Sequence, residues 1–158
     1  MGDPATHFDR EPTASEVELA VTWFQAARAM HLAGGRRIEA ADASAGLYAQ
    51  AVLGLPEAAC LAAKDPSIIA GRTLVDCLAA CERMPDSAGA PFLTGLMMIT
   101  FGERRLHHLE VRWASMVASA VGVDADAFLE CCSAARVMAA MMHSGDAPVS
   151  SLPREPEG

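Results

Sequence analysis

Apolar residues recur along most of the chain at spacings of three and four, which is the period of an amphipathic helix. The helices that this pattern predicts span residues 13–34, 37–53, 56–64, 66–84, 91–121 and 124–145. Gly102 is expected to bend or break the fifth. The sequence therefore predicts an all-α fold, a compact bundle of five to seven helices in which more than about 60% of the residues are helical.

Capping residues mark the ends of several of these helices. Thr13 and Glu16 have the spacing of a capping box, in which hydroxyl and carboxylate each accept from a backbone N–H of the other residue. Gly34-Gly35 is expected to end the first helix, because glycine tolerates the left-handed conformation that follows a C-cap. Asp65-Pro66 places an N-cap residue before a proline at the first helical position.

The predicted helices form one domain, residues 13–145. Residues 1–12 read as a flexible arm and residues 146–158 as a disordered tail. Both segments are short, polar and rich in proline, so they cannot bury enough apolar surface to become ordered.

Apolar stripes indicate which faces of the helices are buried. On the second helix the stripe consists of Leu47, Ala51 and Val52. Before residue 84 it consists of Ala70, Leu74, Cys77, Leu78 and Cys81, and before residue 121 of Leu106, Leu109, Trp113, Met116, Val117 and Ala120. Each of these faces is expected to pack into the core.

The composition supports helix packing and gives the chain an acidic character. Hydrophobic residues make up 52%, but much of this is alanine, and aromatic residues are only 5%. The formal net charge is −8 and the 12 Lys and Arg residues are scattered, so neither nucleic acid nor a membrane is a predicted partner. No segment reads as a signal peptide or membrane span, and five Cys, an odd number, indicate free thiols in the cytoplasm.

One predicted helix carries acidic and histidine side chains at close spacing. Glu103, His107 and Glu110 share one helix face and could supply ligands to a divalent metal or polar groups to a pocket between helices. The spacing differs from the Glu-x-x-His pairs of di-metal bundles, and the chain has no second copy of it. The preferred interpretation is a solvated helix exterior, with the pocket as the alternative.

Sulfur side chains form a second alternative site. Cys77 and Cys81 are an i,i+4 pair on one helix, and thiolate and thioether ligands select Cu(I). The sulfur residues on the last helix are Cys131, Cys132, Met138 and Met142. Two facing helices bearing these groups could bind Cu(I). Because Cys and Met are also common in cores, core packing is the preferred interpretation, and no cofactor is predicted.

The turn Ala118-x-x-x-Gly122-Val123-Asp124 has the spacing of a helix-turn-helix turn. The next helix carries Asp126 and Glu130, which would repel phosphates, so DNA binding is not expected. The turn resembles one in the carboxymuconolactone decarboxylase and alkylhydroperoxidase-D-like helical proteins. Peroxidase members of that family have Cys-x-x-Cys and His just before the turn, whereas residues 111–118 contain neither. The resemblance implies helical architecture without that chemistry.

The function predicted from these observations is non-catalytic: an acidic helical adaptor, regulator or inhibitor that binds a protein partner. The segment 92–101 is apolar all round, as in a helix central to a core or at an interface. The predicted interface residues are Phe92, Leu96, Met97, Met98 and Phe101. A homo-oligomer, with a homodimer first, would cover a leftover apolar face.

A further alternative is a helical enzyme or small-molecule sensor with a pocket between helices. Its polar groups would come from His31, Tyr48, His107 or Trp113. Such side chains combine an apolar ring with a hydrogen-bonding atom, as ligand pockets require. This alternative predicts a bound small molecule.

Overall fold

The computed structural model describes residues 11–35, 38–101 and 107–146, and leaves out the side chains of residues 38–43 and 142–146. Within these ranges about 80% of the residues are helical, in eight helices and no strand. The helices are α1 (Ala14–Ala33), α2 (Ile38–Ala51), α3 (Glu57–Ala63), α4 (Pro66–Ile69), α5 (Leu74–Glu82), α6 (Asp86–Phe101), α7 (His108–Ala120) and α8 (Ala125–Asp146). The all-α prediction is confirmed, and the described residues contain one helix more than the largest number expected. Most of the predicted arm and tail lies outside the described residues.

Helix α1 begins and ends where its capping residues predict. The Thr13 Oγ1 atom accepts from the Glu16 N–H at 3.1 Å, and Glu16 Oε1 accepts from the Thr13 N–H at 2.9 Å. Gly34 is the C-cap and Gly35 follows at φ +71°, a conformation that side chains with a Cβ rarely adopt. The capping residues are neighbours in the sequence, so both ends of α1 can be predicted from the sequence alone.

Helix α1 is also the centre of the fold, since α2, α3, α5, α6 and α7 all pack on it. Its buried residues therefore lie on most of its circumference rather than on one stripe. They are Ala20, Val21, Thr22, Trp23, Phe24, Ala26, Ala27, Met30 and His31. Hydrogen bonds of two tryptophans join neighbouring helices to α1. Trp23 Nε1 donates to the Ala45 carbonyl of α2 at 2.8 Å, and Trp113 Nε1 of α7 donates to the Ala26 carbonyl at 3.1 Å.

The single helix predicted over 66–84 is wrong, because the chain breaks it into α4 and α5. Gly71 lies between them at φ +87°. Thr73 then begins α5 with its own capping box, in which its hydroxyl accepts from the Asp76 N–H at 3.1 Å. The Thr73 N–H donates back to Asp76, and these hydrogen bonds lower the pKa of the Asp76 carboxyl. A second start signal therefore lay inside the predicted helix.

The predicted start of a helix at Pro91 is wrong as well. Helix α6 begins at Asp86, an acidic residue that suits the positive end of a helix dipole, and it continues through Pro91. Proline there removes one backbone donor without ending the helix. The stretch to residue 121, which was expected to bend or break at Gly102, forms two helices: α6 ends at Phe101 and α7 begins at His108, while residues 102–106 lie outside the described part.

All three predicted buried faces are wrong in part. Of the face predicted before residue 84, Ala70 and Leu74 are exposed, and Cys77 and Cys81 lie in the core. On α2, Leu47 is 70% exposed, whereas Ala45 and Ala49 lie in the core. On α7, Leu109 and Met116 are exposed, and the residues of the predicted face that the core contains are Trp113 and Val117. Alanine is small enough to bring helix backbones close together, so on α2 the alanine face packs inward and Leu47 points outward.

Tyr48 joins α2 to α6 and offers a direct check of the packing. Its ring stacks on Trp23 at 5.1 Å between centroids, and its hydroxyl donates to the Pro91 carbonyl at 2.5 Å. Burial raises the pKa of the phenol to about 12, with the nearby Cys131 as a second cause. Tyr48 is the one tyrosine of the chain.

We predict that the phenolate absorbance of the folded protein rises at a pH near 12 rather than near 10. Because the pKa of the folded state lies above that of the unfolded state, the unfolded state loses its proton first as pH rises. The free energy of unfolding should therefore fall between about pH 10 and pH 12. A spectrophotometric titration of the native and urea-unfolded protein checks this, and coinciding curves would contradict the packing of the half-buried Tyr48 between α2 and α6.

Candidate functional site

His107 and Glu110, two of the predicted ligands, form a capping box at the start of α7. His107 is the N-cap, and its Nδ1 accepts from the Leu109 N–H at 3.2 Å. Glu110 accepts from the His107 N–H at 3.1 Å and from the Thr100 hydroxyl at 2.9 Å. The carboxylate is only 1% exposed, so the prediction of a solvated exterior is wrong for Glu110. Glu103 lies outside the described residues.

The four polar groups predicted for a pocket make contacts within the structure. Trp113 and Tyr48 donate to backbone carbonyls, His31 is buried against the core, and His107 caps α7. A cleft of about 140 Å³ lies elsewhere, between α1 and α5. Its lining consists of Ser15, Glu18, Leu19, Thr22, Ala80, Arg83, Met84 and Pro85. None of the four predicted groups lines this cleft.

Four of the five cysteines divide into two groups that face different helices, and Cys60 lies apart from them on α3. Cys77 and Cys81 are buried on α5, where the Cys77 Sγ lies 3.7 Å from the Thr22 carbonyl oxygen of α1. Cys131 is buried on α8, with its Sγ 3.6 Å from the Ala90 carbonyl oxygen of α6. Cys132 beside it is half-buried. The structure thus offers two separate sulfur clusters rather than one site between facing helices.

Of the two methionines that were predicted to join Cys131 and Cys132, the structure describes the side chain of one. Met138 is half-buried on α8, and the side chain of Met142 lies outside the described residues. In the described part of the chain, no three His, Cys, Asp or Glu side chains lie close enough together to hold a metal ion.

No family model, curated protein or solved structure matches this chain. The resemblance of the turn at residues 118–124 to one helical family is accordingly left without support. A function for this chain has to follow from its own side chains.

The predicted interface segment on α6 lies mainly inside the fold. Phe92, Leu96 and Met97 are at most 2% exposed, and Met98 and Phe101 are half-buried. A segment that is apolar all round is either central to a core or part of an interface, and for Phe92, Leu96 and Met97 the structure shows the first arrangement. Helix α6 lies between α8 on one side and α1, α2 and α7 on the others. Its buried residues leave no side-chain area for a partner.

A different apolar surface is exposed on α8, and we call it the α8 outer face. It consists of Leu129, Ser133, Val137, Ala140 and Met141. Leu129 is 64% exposed, Val137 59% and Met141 68%. Residues spaced by four lie on one side of a helix, and the opposite side of α8 packs on α6 through Cys131, Ala135 and Ala139. The four-residue spacing of these exposed side chains is visible in the sequence. The buried residues of the same helix have the same spacing, so the pattern alone does not show which side is exposed.

The described helices give no sign of a transmembrane segment. In the part of the chain that the structure covers, no helix has both the length and the apolar character that crossing a bilayer requires. The α8 outer face is interrupted by Ser133 and flanked by charged Glu130 and Arg136.

Proposed function

We propose that this chain is a non-catalytic helical interaction protein that self-associates, with a second copy covering the α8 outer face. The observation that carries the proposal is the exposed row Leu129, Val137 and Met141, which extends for about 18 Å along the helix. Large apolar side chains in such a row are costly to leave in water and are a common feature of association surfaces.

A second copy is the occupant that this surface fits best. In a two-fold symmetric contact one patch serves both partners, so no other complementary surface is needed. Ser133 and Ala140 are small and lie between the large side chains, which allows two helix backbones to approach closely. The flanking Glu130 and Arg136 have opposite charges, so the patch itself is not strongly charged.

The proposed dimer is acidic, and its charge indicates the kind of partner that it binds. The acidic net charge of −8 favours a protein partner with a basic surface, which suits an adaptor, regulator or inhibitor. The free thiols of Cys60, Cys77, Cys81, Cys131 and Cys132 favour the cytoplasm, where thiols stay reduced.

We predict that Val137→Glu converts the dimer to a monomer, because a carboxylate at the centre of the contact would lose its water. The dissociation constant should rise by at least about tenfold. Native mass spectrometry and light scattering over a dilution series measure this directly. The matched control is Leu47→Glu, which places the same charge on an exposed leucine of α2.

The control variant should dimerise as the wild type does. A wild-type protein that remains monomeric at high concentration would overturn self-association, and equal effects of the two substitutions would show that the α8 outer face is not the contact. Because the chain is acidic, added salt should strengthen the dimer by screening repulsion between the copies.

A further inference from the structure

The methionine side chains that the structure describes differ widely in exposure, and Met141 is the most exposed of them at 68%. Met116, on the outer side of α7, is 47% exposed. Met30 and Met97 lie in the core and are at most 2% exposed. A thioether is oxidised to a sulfoxide only where the oxidant can reach the sulfur, so Met141 is the described methionine that is most open to this reaction.

The thiols of the chain are less accessible than this thioether. Four of them are at most 5% exposed: Cys60, Cys77, Cys81 and Cys131. Cys132 is half-buried, and burial raises the pKa of its thiol, with the neighbouring Cys131 as a second cause. Because peroxides attack the thiolate rather than the thiol, a raised pKa slows the oxidation of Cys132. Among the sulfur atoms that the structure describes, a dissolved oxidant therefore meets that of Met141 most readily.

Met141 is also one of the three large side chains of the α8 outer face. It follows Val137 by about one helical turn, and Leu129 lies about two turns before Val137. Oxidation would place a polar S=O group in this apolar row. A sulfoxide oxygen is costly to bury without a hydrogen-bond donor, and neither Leu129 nor Val137 has a side-chain donor. One oxygen atom on Met141 therefore opposes the association that the apolar row favours.

We propose that Met141 is an oxidative modification site through which hydrogen peroxide controls self-association, an inference that rests on the proposed dimer through the α8 outer face. The sulfur lone pair attacks one peroxide oxygen, and an S–O bond forms as the O–O bond breaks. The departing oxygen takes up the proton of the transferred oxygen and leaves as water, so sulfur loses two electrons and the peroxide gains them. A methionine sulfoxide reductase reverses the change: two thiols become a disulfide, and the sulfoxide oxygen leaves as water.

A second copy on the α8 outer face would cover Met141, so the oxidant reaches the sulfur in the free monomer. The sulfoxide then keeps that monomer from associating, and oxidation draws chains away from the dimer by mass action. Met116 lies on α7, outside the α8 outer face, and its oxidation should leave association unchanged. The two exposed methionines therefore form a matched pair.

The test treats the full, reduced chain with hydrogen peroxide and measures the dimer by light scattering and native mass spectrometry over a dilution series. Peptide mass spectrometry locates the added oxygen. We expect the dissociation constant to rise at least about tenfold as Met141 is oxidised, and a methionine sulfoxide reductase with a dithiol to restore it. Met141→Leu keeps the size and apolar character, so it should dimerise before and after peroxide. Met116→Leu should respond as the wild type does.

The possible outcomes distinguish this inference from the proposed dimer. A wild-type chain that is monomeric before oxidation overturns the proposed dimer, and the inference with it. A dimer that persists when Met141 is fully oxidised overturns the inference alone. Loss of the Met141→Leu dimer in peroxide would assign the effect to another sulfur and would overturn it as well.

A second substitution at the same position needs no oxidant. Met141→Gln has a side chain of similar length, and its Cδ=O group takes the place of the S=O group of the sulfoxide. Its dimer should have a dissociation constant at least about tenfold above that of the wild type, whereas Met116→Gln should dimerise as the wild type does. Both positions are exposed, so neither substitution disturbs the core. A Met141→Gln protein with the wild-type dissociation constant would contradict the control of association by Met141.

Discussion

Replacing Gly95 with alanine is expected to destabilise the protein by about 3 kcal/mol, although the change adds one methyl group. Gly95 lies in α6, directly against the rings of Trp23 and Tyr48. A Cβ atom there would lie 2.5 Å from the Trp23 Cη2 atom and closer still to Tyr48 Cε1. Real side chains do not tolerate such contacts, so the rings or the helix must move.

The rings cannot move freely, because hydrogen bonds fix both of them. Trp23 donates to the Ala45 carbonyl at 2.8 Å, and Tyr48 donates to the Pro91 carbonyl at 2.5 Å. Trp23 also meets the edge of Phe92 with 5.2 Å between ring centroids. A shift of α6 would disturb all of these contacts together, which places the expected cost at the upper end for overpacking.

Gly46→Ala is the matched control, since it makes the same exchange inside helix α2. The added Cβ would meet only Lys64 Nζ, at 4.0 Å. Because alanine is the better helix former, this variant should be stabilised by about 0.5–1 kcal/mol. Urea denaturation of both variants measures the difference in the free energy of unfolding. A Gly95→Ala protein as stable as the wild type would contradict the close packing of α6 on Trp23.

The contrast between Gly95 and Gly46 illustrates what the sequence does and does not predict. Both glycines read alike as helix-interior residues of low propensity. Their difference depends on the aromatic pair Trp23 and Tyr48, which lies far away in the sequence and comes close only through packing. Capping at Thr13 and Gly35 was predictable because all of its atoms belong to neighbouring residues.

The faces of the helices were harder to predict than their existence. In an alanine-rich chain, the usual rule that large apolar residues mark the buried side fails, as Leu47 and Met116 show. Ala45, Ala49 and Ala114 are buried instead, because close approach of helix backbones requires small side chains. The sequence alone does not distinguish an inward alanine row from an outward one.

The cysteine pair of α5 was predictable in part for the same reason. The Cys77–Cys81 pair is local to one helix, so its spacing identified it from the sequence. The cleft depends on how α5 packs on α1, and neither cysteine of this pair lines it. The same dependence on packing separated this pair from Cys131 and Cys132.

Replacing Glu110 with alanine is expected to cost about 3 kcal/mol, against about 1 kcal/mol for the same change at Glu16. Both residues occupy the third position of a helix in a capping box, and both accept from the backbone N–H of the N-cap residue. Glu110 differs because its carboxylate is 1% exposed and also accepts from the Thr100 hydroxyl at 2.9 Å. Its removal leaves a cavity and takes from a buried hydroxyl its acceptor.

A double-mutant cycle with Thr100→Val separates these causes. Thr100 is 1% exposed, so valine should fill its site, and the coupling energy between the two positions should be about 1–2 kcal/mol. Glu110→Gln, which keeps an acceptor oxygen and most of the volume, should recover part of the loss. Equal costs for Glu16→Ala and Glu110→Ala would mean that Glu110 only caps α7. A larger cost that persists in the Thr100→Val background would assign the difference to the cavity rather than to the hydrogen bond.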